Sequence, residues 1–212
     1  VMPQATMVDY PGRLSGLMFT SGCNFHCGFC HNAALLHNEA KHGDASAGTY
    51  DFDKLDEFLK GFKRQWTNAI TVTGGEPTIH RGLSELVRAL KGAGYWVALE
   101  TNGVHAPHHP DLFDYISVSP KSEYAARYMD AHMLHQANEV RIVAVTGDIS
   151  AFCRNMRERI TAADYYISPL EKDGKIHYRR ALNLLVKVNK LSPNLTPPWA
   201  LSIQMHKVLG IR

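Results

Sequence analysis

Three cysteines within eight residues constrain this chain more than any other feature. They stand in the run Gly22-Cys23-Asn24-Phe25-His26-Cys27-Gly28-Phe29-Cys30-His31-Asn32, with three and then two residues between them. Soft thiolates on one short loop select iron–sulfur clusters, zinc or Cu(I) over hard cations. The fourth and last cysteine, Cys153, lies far away in an apolar-patterned stretch and reads as a small core hydrophobe. Three local thiolates leave one metal position without a protein thiolate. On a four-iron cluster that position is an iron open to a small molecule, whereas most cluster sites use four cysteines. Zinc with His26 or His31 as fourth ligand is the competing reading, because Cys₃His is a common structural site. A disulfide framework does not suit cysteines this crowded in a chain with no other mark of secretion.

The rest of the composition narrows the setting. At 212 residues, 45% hydrophobic and 20% charged, the chain suits one domain, residues 1–212, with a large core. No apolar run approaches a membrane span, and no charged-then-apolar leader is read. Unpaired cysteines point to a reducing, cytoplasmic location. A net charge of +3 admits an anionic small substrate, but no basic tract argues for nucleic acid. Several of the twelve histidines, such as His105, His108 and His109, fall in a polar loop and read as solvated.

Strand and helix patterns alternate along the chain. Strands are expected at 14–20, 69–73, 95–99, 112–118, 139–145, 165–167 and 199–203. Helical spacing is read at 53–66, 82–93, 122–136, 149–159 and 178–190, with one or two helical turns at 32–37 and a surface loop at 38–49. Such alternation makes an α/β fold with a parallel sheet and right-handed crossovers. About six βα units are counted, fewer than the eight of a closed barrel. In parallel α/β folds the loops at the carboxyl ends of strands build the site. The cysteine loop, Gly74-Gly75-Glu76-Pro77, Glu100/Asn102, Ser119/Lys121, Ser168 and Gln204/His206/Lys207 all fall at such ends, and convergence on one face is expected.

Cys23-x₃-Cys27-x₂-Cys30 after a first strand, with Gly74-Gly75-Glu76-Pro77 after a second, resembles the radical S-adenosylmethionine superfamily. The resemblance spans nearly the whole chain and implies a partial (β/α)₆ barrel. It implies that Cys23, Cys27 and Cys30 hold a [4Fe–4S] cluster whose open iron takes the amino and carboxyl groups of S-adenosylmethionine. Reductive cleavage would give methionine and a 5′-deoxyadenosyl radical. Phe29 would cover the adenine, the two glycines would let backbone approach the ligand, and Glu76 would accept from its amine. Ser119 and Ser168 would touch the ribose or carboxylate of the cofactor.

Two parts of the chain resemble different members. Val8-Asp9-Tyr10-Pro11-Gly12-Arg13 through Asn32 resembles activating enzymes of glycyl-radical proteins, notably the anaerobic ribonucleotide reductase activase, which would act on a protein partner. Glu100-Thr101-Asn102-Gly103, Val118-Ser119-Pro120-Lys121 and Leu201-Ser202-Ile203-Gln204-Met205-His206-Lys207 resemble 7-carboxy-7-deazaguanine synthases of the queuosine pathway. Substrate choice is made away from shared cofactor machinery, so the later segments weigh more.

By that resemblance the substrate is 6-carboxy-5,6,7,8-tetrahydropterin, a hydrogen leaves C6, and ring contraction with loss of ammonia follows. Lys121, Lys207 and Arg212 are candidates for its carboxylate. Glu100, Asn102 and Gln204 suit the amide edge of the pterin, with His206 beside them. Asn102-Gly103 also reads as a plain turn, and 204–207 as a C-terminal cap. The synthases usually follow the last cysteine with Asp-Thr, whose threonine helps bind Mg²⁺; here His31-Asn32 stands there, leaving Asn32 as the candidate magnesium ligand. The resemblance further implies an electron donor such as flavodoxin or ferredoxin, and it is compatible with a homodimer.

Overall fold

The structure is a computed structural model describing residues 5–6, 14–30, 32–36, 57, 60 and 67–203. It groups into two compact units: Val1–His26, Cys30–Thr101 and Pro107–Tyr115 form the first, and Cys27–Phe29, Asn102–Ala106 and Ile116–Arg212 the second.

In the first unit, β2 (Ser15–Thr20) pairs in parallel with β3 (Ala69–Gly74), and β3 with β4 (Trp96–Thr101). A short β1 (Ala5–Thr6), not expected from the sequence, runs antiparallel to β2. The strand period of two divides the side chains. Met18, Ile70, Val72 and Val97 lie on one face, in a core cluster with Leu83, Val87 and Leu90 of α1 (Leu83–Gly92). Each such side chain contributes about 1.5–3 kcal/mol when fully buried. Helix α1 stops where Gly94 turns left-handed (φ 81°) and returns its N–H to Lys91 O at 2.9 Å. The opposite face is mixed: Ala69 and Ala98 are buried there with Tyr115 packed against them, and polar pairs lie beside them. Ser15 and Thr71 share a hydrogen bond at 2.8 Å, and Thr73 Oγ1 donates to Glu100 Oε2 at 2.6 Å.

In the second unit, β5 (Tyr115–Val118), β6 (Gln136–Ala144), β7 (Thr161–Pro169) and the late strand Trp199–Leu201 pair in parallel. Val118, Val140, Ile142, Ile167 and Trp199 are buried on one face. Helices α2 (Ser150–Arg159) and α3 (Tyr178–Leu191) bury Cys153 and Met156, and Ala181, Leu184 and Val188. Glu139, Arg141, Tyr166 and Ser168 fall on the other face by register.

Most expected elements appear within a residue or two; among those that differ, β6, expected from 139, starts at Gln136. The expected helix at 122–136 is a 3₁₀ stretch, Ser122–Met129, with non-helical backbone at Tyr124 and Tyr128. Tertiary bonds of the Tyr128 hydroxyl, described below, override the helical spacing. The strand expected from 112 starts at Tyr115, because Pro110–Leu112 forms a 3₁₀ turn. Strand β7 is nine residues where three were expected: its largely exposed start, Thr161 to Asp164, is recruited by pairing with β6 from Gln136 onward. The strand expected at 199–203 ends at Leu201. A hairpin of β8 (Glu171–Lys172) and β9 (Lys175–Ile176) turns through Asp173 and Gly174, both at positive φ, so the final strand Trp199–Leu201 is β10. Of the helix expected at 53–66, Glu57 and Lys60 are described and both are helical; the loop at 38–49 lies outside the described residues.

Candidate functional site

The glycine pair after β3 is demanded by backbone. Gly74 sits at φ 109°, and a Cβ there would lie 2.6 Å from Thr20 O. A Cβ on Gly75 would lie 1.9 Å from Gly22 O. The gap is closed by hydrogen bonds instead, Gly75 N–H to Thr20 O and Glu76 N–H to Gly22 O, both at 2.8 Å. The expectation that these glycines admit a ligand is thus joined by a different fact: they let the Gly-Gly-Glu-Pro turn lie flush on the entrance to the cysteine loop. Gly22, itself left-handed at φ 79°, donates to Leu35 O at 2.6 Å and ties the loop's far side.

Glu76 follows at the N-cap of a 3₁₀ turn, Pro77–Ile79, and is 1% exposed. Its Oε1 accepts from Thr78 N–H at 3.1 Å, Thr78 Oγ1 at 2.7 Å and Thr101 Oγ1 at 2.7 Å. Three donors fix the carboxylate at the carboxyl ends of β3 and β4, where it can accept from a cationic amine. Glu100 stands on the mixed face of β4, held by Thr73. The sequence reading missed Thr73, Thr78 and Thr101; a hydroxyl near a candidate carboxylate was the only available signal.

Among the described residues no group of three or more His, Cys, Asp or Glu side chains is arranged to hold a metal ion. The fit to an iron–sulfur cluster rests on the donors themselves. Cys23, Cys27 and Cys30 are partly exposed and none is in a disulfide. Cys23 Sγ accepts the Phe25 N–H at 3.4 Å, the kind of contact by which a protein tunes a cluster. Phe25, 1% exposed, anchors the loop, while Phe29 is half-buried. Cys153 is different: burial pushes its thiol up to about 12, which suits a core residue and not a ligand. Asn32 opens the 3₁₀ turn Ala33–Leu35 without a side-chain cap bond, its main-chain oxygen taking Leu35 N–H at 2.8 Å. One amide oxygen is a poor match for Mg²⁺, which favours carboxylates and water.

In the second unit a tyrosine absent from the sequence reading connects two expected loops. Tyr128 is fully buried; its hydroxyl donates to Asn102 O at 2.9 Å and accepts from Lys121 N–H at 3.0 Å. Its ring meets Phe152 edge-on, centroids 5.9 Å apart. Asn102 Oδ1 accepts Val104 N–H at 3.0 Å, so the turn reading of Asn102-Gly103 holds for that atom. Lys121 Nζ donates to Ser119 Oγ at 2.7 Å. Ser168 Oγ is buried without a hydrogen-bond partner, as a hydroxyl awaiting a ligand would be. His31, Gln204, His206, Lys207 and Arg212 lie outside the described residues.

Comparison with known proteins fits this geometry. The family model described as "Radical SAM superfamily" matches residues 17–120. The 7-carboxy-7-deazaguanine synthase of Neisseria meningitidis serogroup B is 38% identical over 219 residues, covering 99% of this chain and 95% of the relative. A putative glycyl-radical enzyme activating enzyme of Methanocaldococcus jannaschii is 29% identical over 123 residues, 55% of this chain and 47% of that relative. The crystal structure of QueE from Escherichia coli aligns with a TM-score of 0.60 at 22% identity, covering 91% of this chain and 86% of the other. That last likeness concerns the fold, an α/β radical SAM core of the partial-barrel type. With nearly the whole Neisseria relative matched at 38% identity, the chain belongs to the radical SAM superfamily, in the family of 7-carboxy-7-deazaguanine synthases.

Proposed function

We propose that this chain is a radical lyase that converts 6-carboxy-5,6,7,8-tetrahydropterin to 7-carboxy-7-deazaguanine with loss of ammonia. The observation that carries the reading is the near-full-length match to a synthase of that name. As in the family, the cofactors are a [4Fe–4S] cluster and S-adenosylmethionine, and when bound they supply hydrogen-atom abstraction; the zinc alternative falls with family membership. The chain's own residues bind and orient. Cys23, Cys27 and Cys30 would hold the cluster, Phe29 would cover the adenine, and Glu76, aimed by Thr78 and Thr101, would accept from the amine of S-adenosylmethionine. Gly74 and Gly75 keep that carboxylate beside the loop, and Ser119 and Ser168 would hold the ribose or carboxylate of the cofactor. Glu100, Asn102, Lys121, Gln204, His206 and Lys207 would bind the pterin.

The chain acts as one domain in the cytoplasm, reduced by a flavodoxin- or ferredoxin-like donor, and a homodimer is compatible with this reading. No helix of the described residues is long and apolar enough to cross a membrane. No step is drawn through Mg²⁺, given the poor donor set at Asn32.

The second reading, an activase acting on a glycyl-radical protein, is favoured by the N-terminal segment and by the Methanocaldococcus jannaschii relative, whose match covers about half of each chain. One experiment separates them. Anaerobically reconstituted protein is given reductant, S-adenosylmethionine and the carboxytetrahydropterin, and product is sought by mass. A new species at the mass of substrate minus ammonia supports the synthase. No product from iron-replete protein, with a radical doublet on a partner protein, supports the activase.

A further inference from the structure

Beside Ser168, the polar face of β6 and β7 carries groups that none of the roles above uses. Glu139 is 1% exposed, and its Oε1 accepts from Ser117 Oγ and from Arg141 Nη2, both at 2.6 Å. The Arg141 side chain is 17% exposed. Its Nε is buried without a hydrogen-bond partner. Arg141 stands opposite Tyr166, and Val143 opposite Ser168, so Arg141, Tyr166 and Ser168 share one face, with Ser168 diagonal to Arg141. Ser168 Oγ is the second buried, partnerless polar atom on this face.

Two orphaned groups on neighbouring rows of one sheet face call for a common explanation, because buried donors are nearly always satisfied. A guanidinium has only donors, in a rigid fork, and Glu139 holds one end of it in place. Tyr166 adds a phenol kept protonated by burial and by Asp164 and Glu139, with Arg141 opposing them, and is therefore also a donor. Arg141, Tyr166 and Ser168 supply the donors of this face and are complementary to an acceptor-rich group, while Glu139 Oε1 holds the guanidinium and Asp164, opposite Glu139 by register, is the second carboxylate on the face.

We infer that Arg141, positioned by Glu139 and assisted by Ser168, forms a subsite for a carboxylate. The inference rests on the proposed function for the ligands in question: the carboxylate is that of the carboxypterin or that of the methionine moiety of S-adenosylmethionine.

The test is binding, not turnover. Removing Arg141 alone would leave Glu139 buried and uncompensated, so the variant is the doubly neutral Glu139→Gln/Arg141→Gln, with Arg141→Lys beside it. Dissociation constants are measured on cluster-loaded protein for two ligand pairs, S-adenosylmethionine against decarboxylated S-adenosylmethionine, and 6-carboxypterin against pterin. The subsite predicts that the double variant weakens the carboxylated member of one pair by about 10- to 100-fold, the range of one charge-assisted hydrogen bond, and leaves its decarboxylated counterpart unchanged. Which pair responds names the source, and Arg141→Lys should recover only part of the loss. Equal weakening of both members of each pair, or no weakening, overturns the subsite. Wild-type protein that binds neither pterin would instead count against the proposed function, leaving the subsite to be judged on the S-adenosylmethionine pair.

Discussion

The four cysteines of this chain share one side chain and have two chemistries, set by where each sulfur sits. Burial holds the Cys153 thiol neutral up to about 12, against 9.0 for a free thiol. A raised acid pKa keeps its stabilising effect intact below the unfolded value and loses it as pH climbs toward the folded one, so this contribution fades between pH 9 and 12. In cluster-free native protein at pH 8, iodoacetamide should therefore label Cys23, Cys27 and Cys30 and spare Cys153, read by peptide mass. Cys153→Ala should leave iron per chain unchanged, whereas alanine at any of the other three should abolish cleavage of S-adenosylmethionine. Tyr128 belongs to the same scale. Tyr128→Phe strips Asn102 O and Lys121 N–H of a buried partner and should cost about 1–3 kcal/mol in denaturant unfolding, with weaker binding of the pterin. The thiolate motif was legible in the sequence because its chemistry is local. Tyr128 was not, because its partners lie 26 and 7 residues away and nothing in their spacing announces them.

At the scale of elements, the turns after the strands matter more than the strands. Gly75→Ala would drive a methyl group into the backbone of Gly22, with neither side able to rotate away. The substitution should cost at least about 1–3 kcal/mol and lower iron incorporation, because the cysteine loop loses its seat. Gly92→Ala is the contrast. It lies at the end of α1 with nothing within 4 Å of the added methyl, and should stabilise by up to about 1 kcal/mol. Thermal unfolding of the two variants side by side checks both signs. Parallel strands in α/β order could be read from apolar runs, and α1 from Leu83, Leu86, Val87 and Leu90. The start of β7 could not, because Thr161 to Asp164 have no strand pattern of their own and follow the register of β6. The 3₁₀ stretch at Ser122–Met129 shows the reverse error, a helical spacing overruled by one buried hydroxyl.

Across the whole molecule, the sequence signal was strongest where function demands unusual residue types, three soft donors together and a Gly-Gly-Glu-Pro turn. It was weakest for the polar faces, where Ser117, Glu139 and Arg141 look like ordinary strand residues until the register aligns them. The reading of the chain as a ring-contracting radical enzyme makes a demand on the mass balance that an activase does not share. Ring contraction removes ammonia from the pterin without net oxidation, so a cofactor regenerated at each turnover is not consumed. The direct measurement follows pterin, deazaguanine, ammonia and S-adenosylmethionine together in one anaerobic reaction of iron-replete protein. Pterin lost should equal deazaguanine and ammonia formed over many turnovers, with S-adenosylmethionine nearly constant. Steady consumption of S-adenosylmethionine with no ammonia and no deazaguanine would contradict the account.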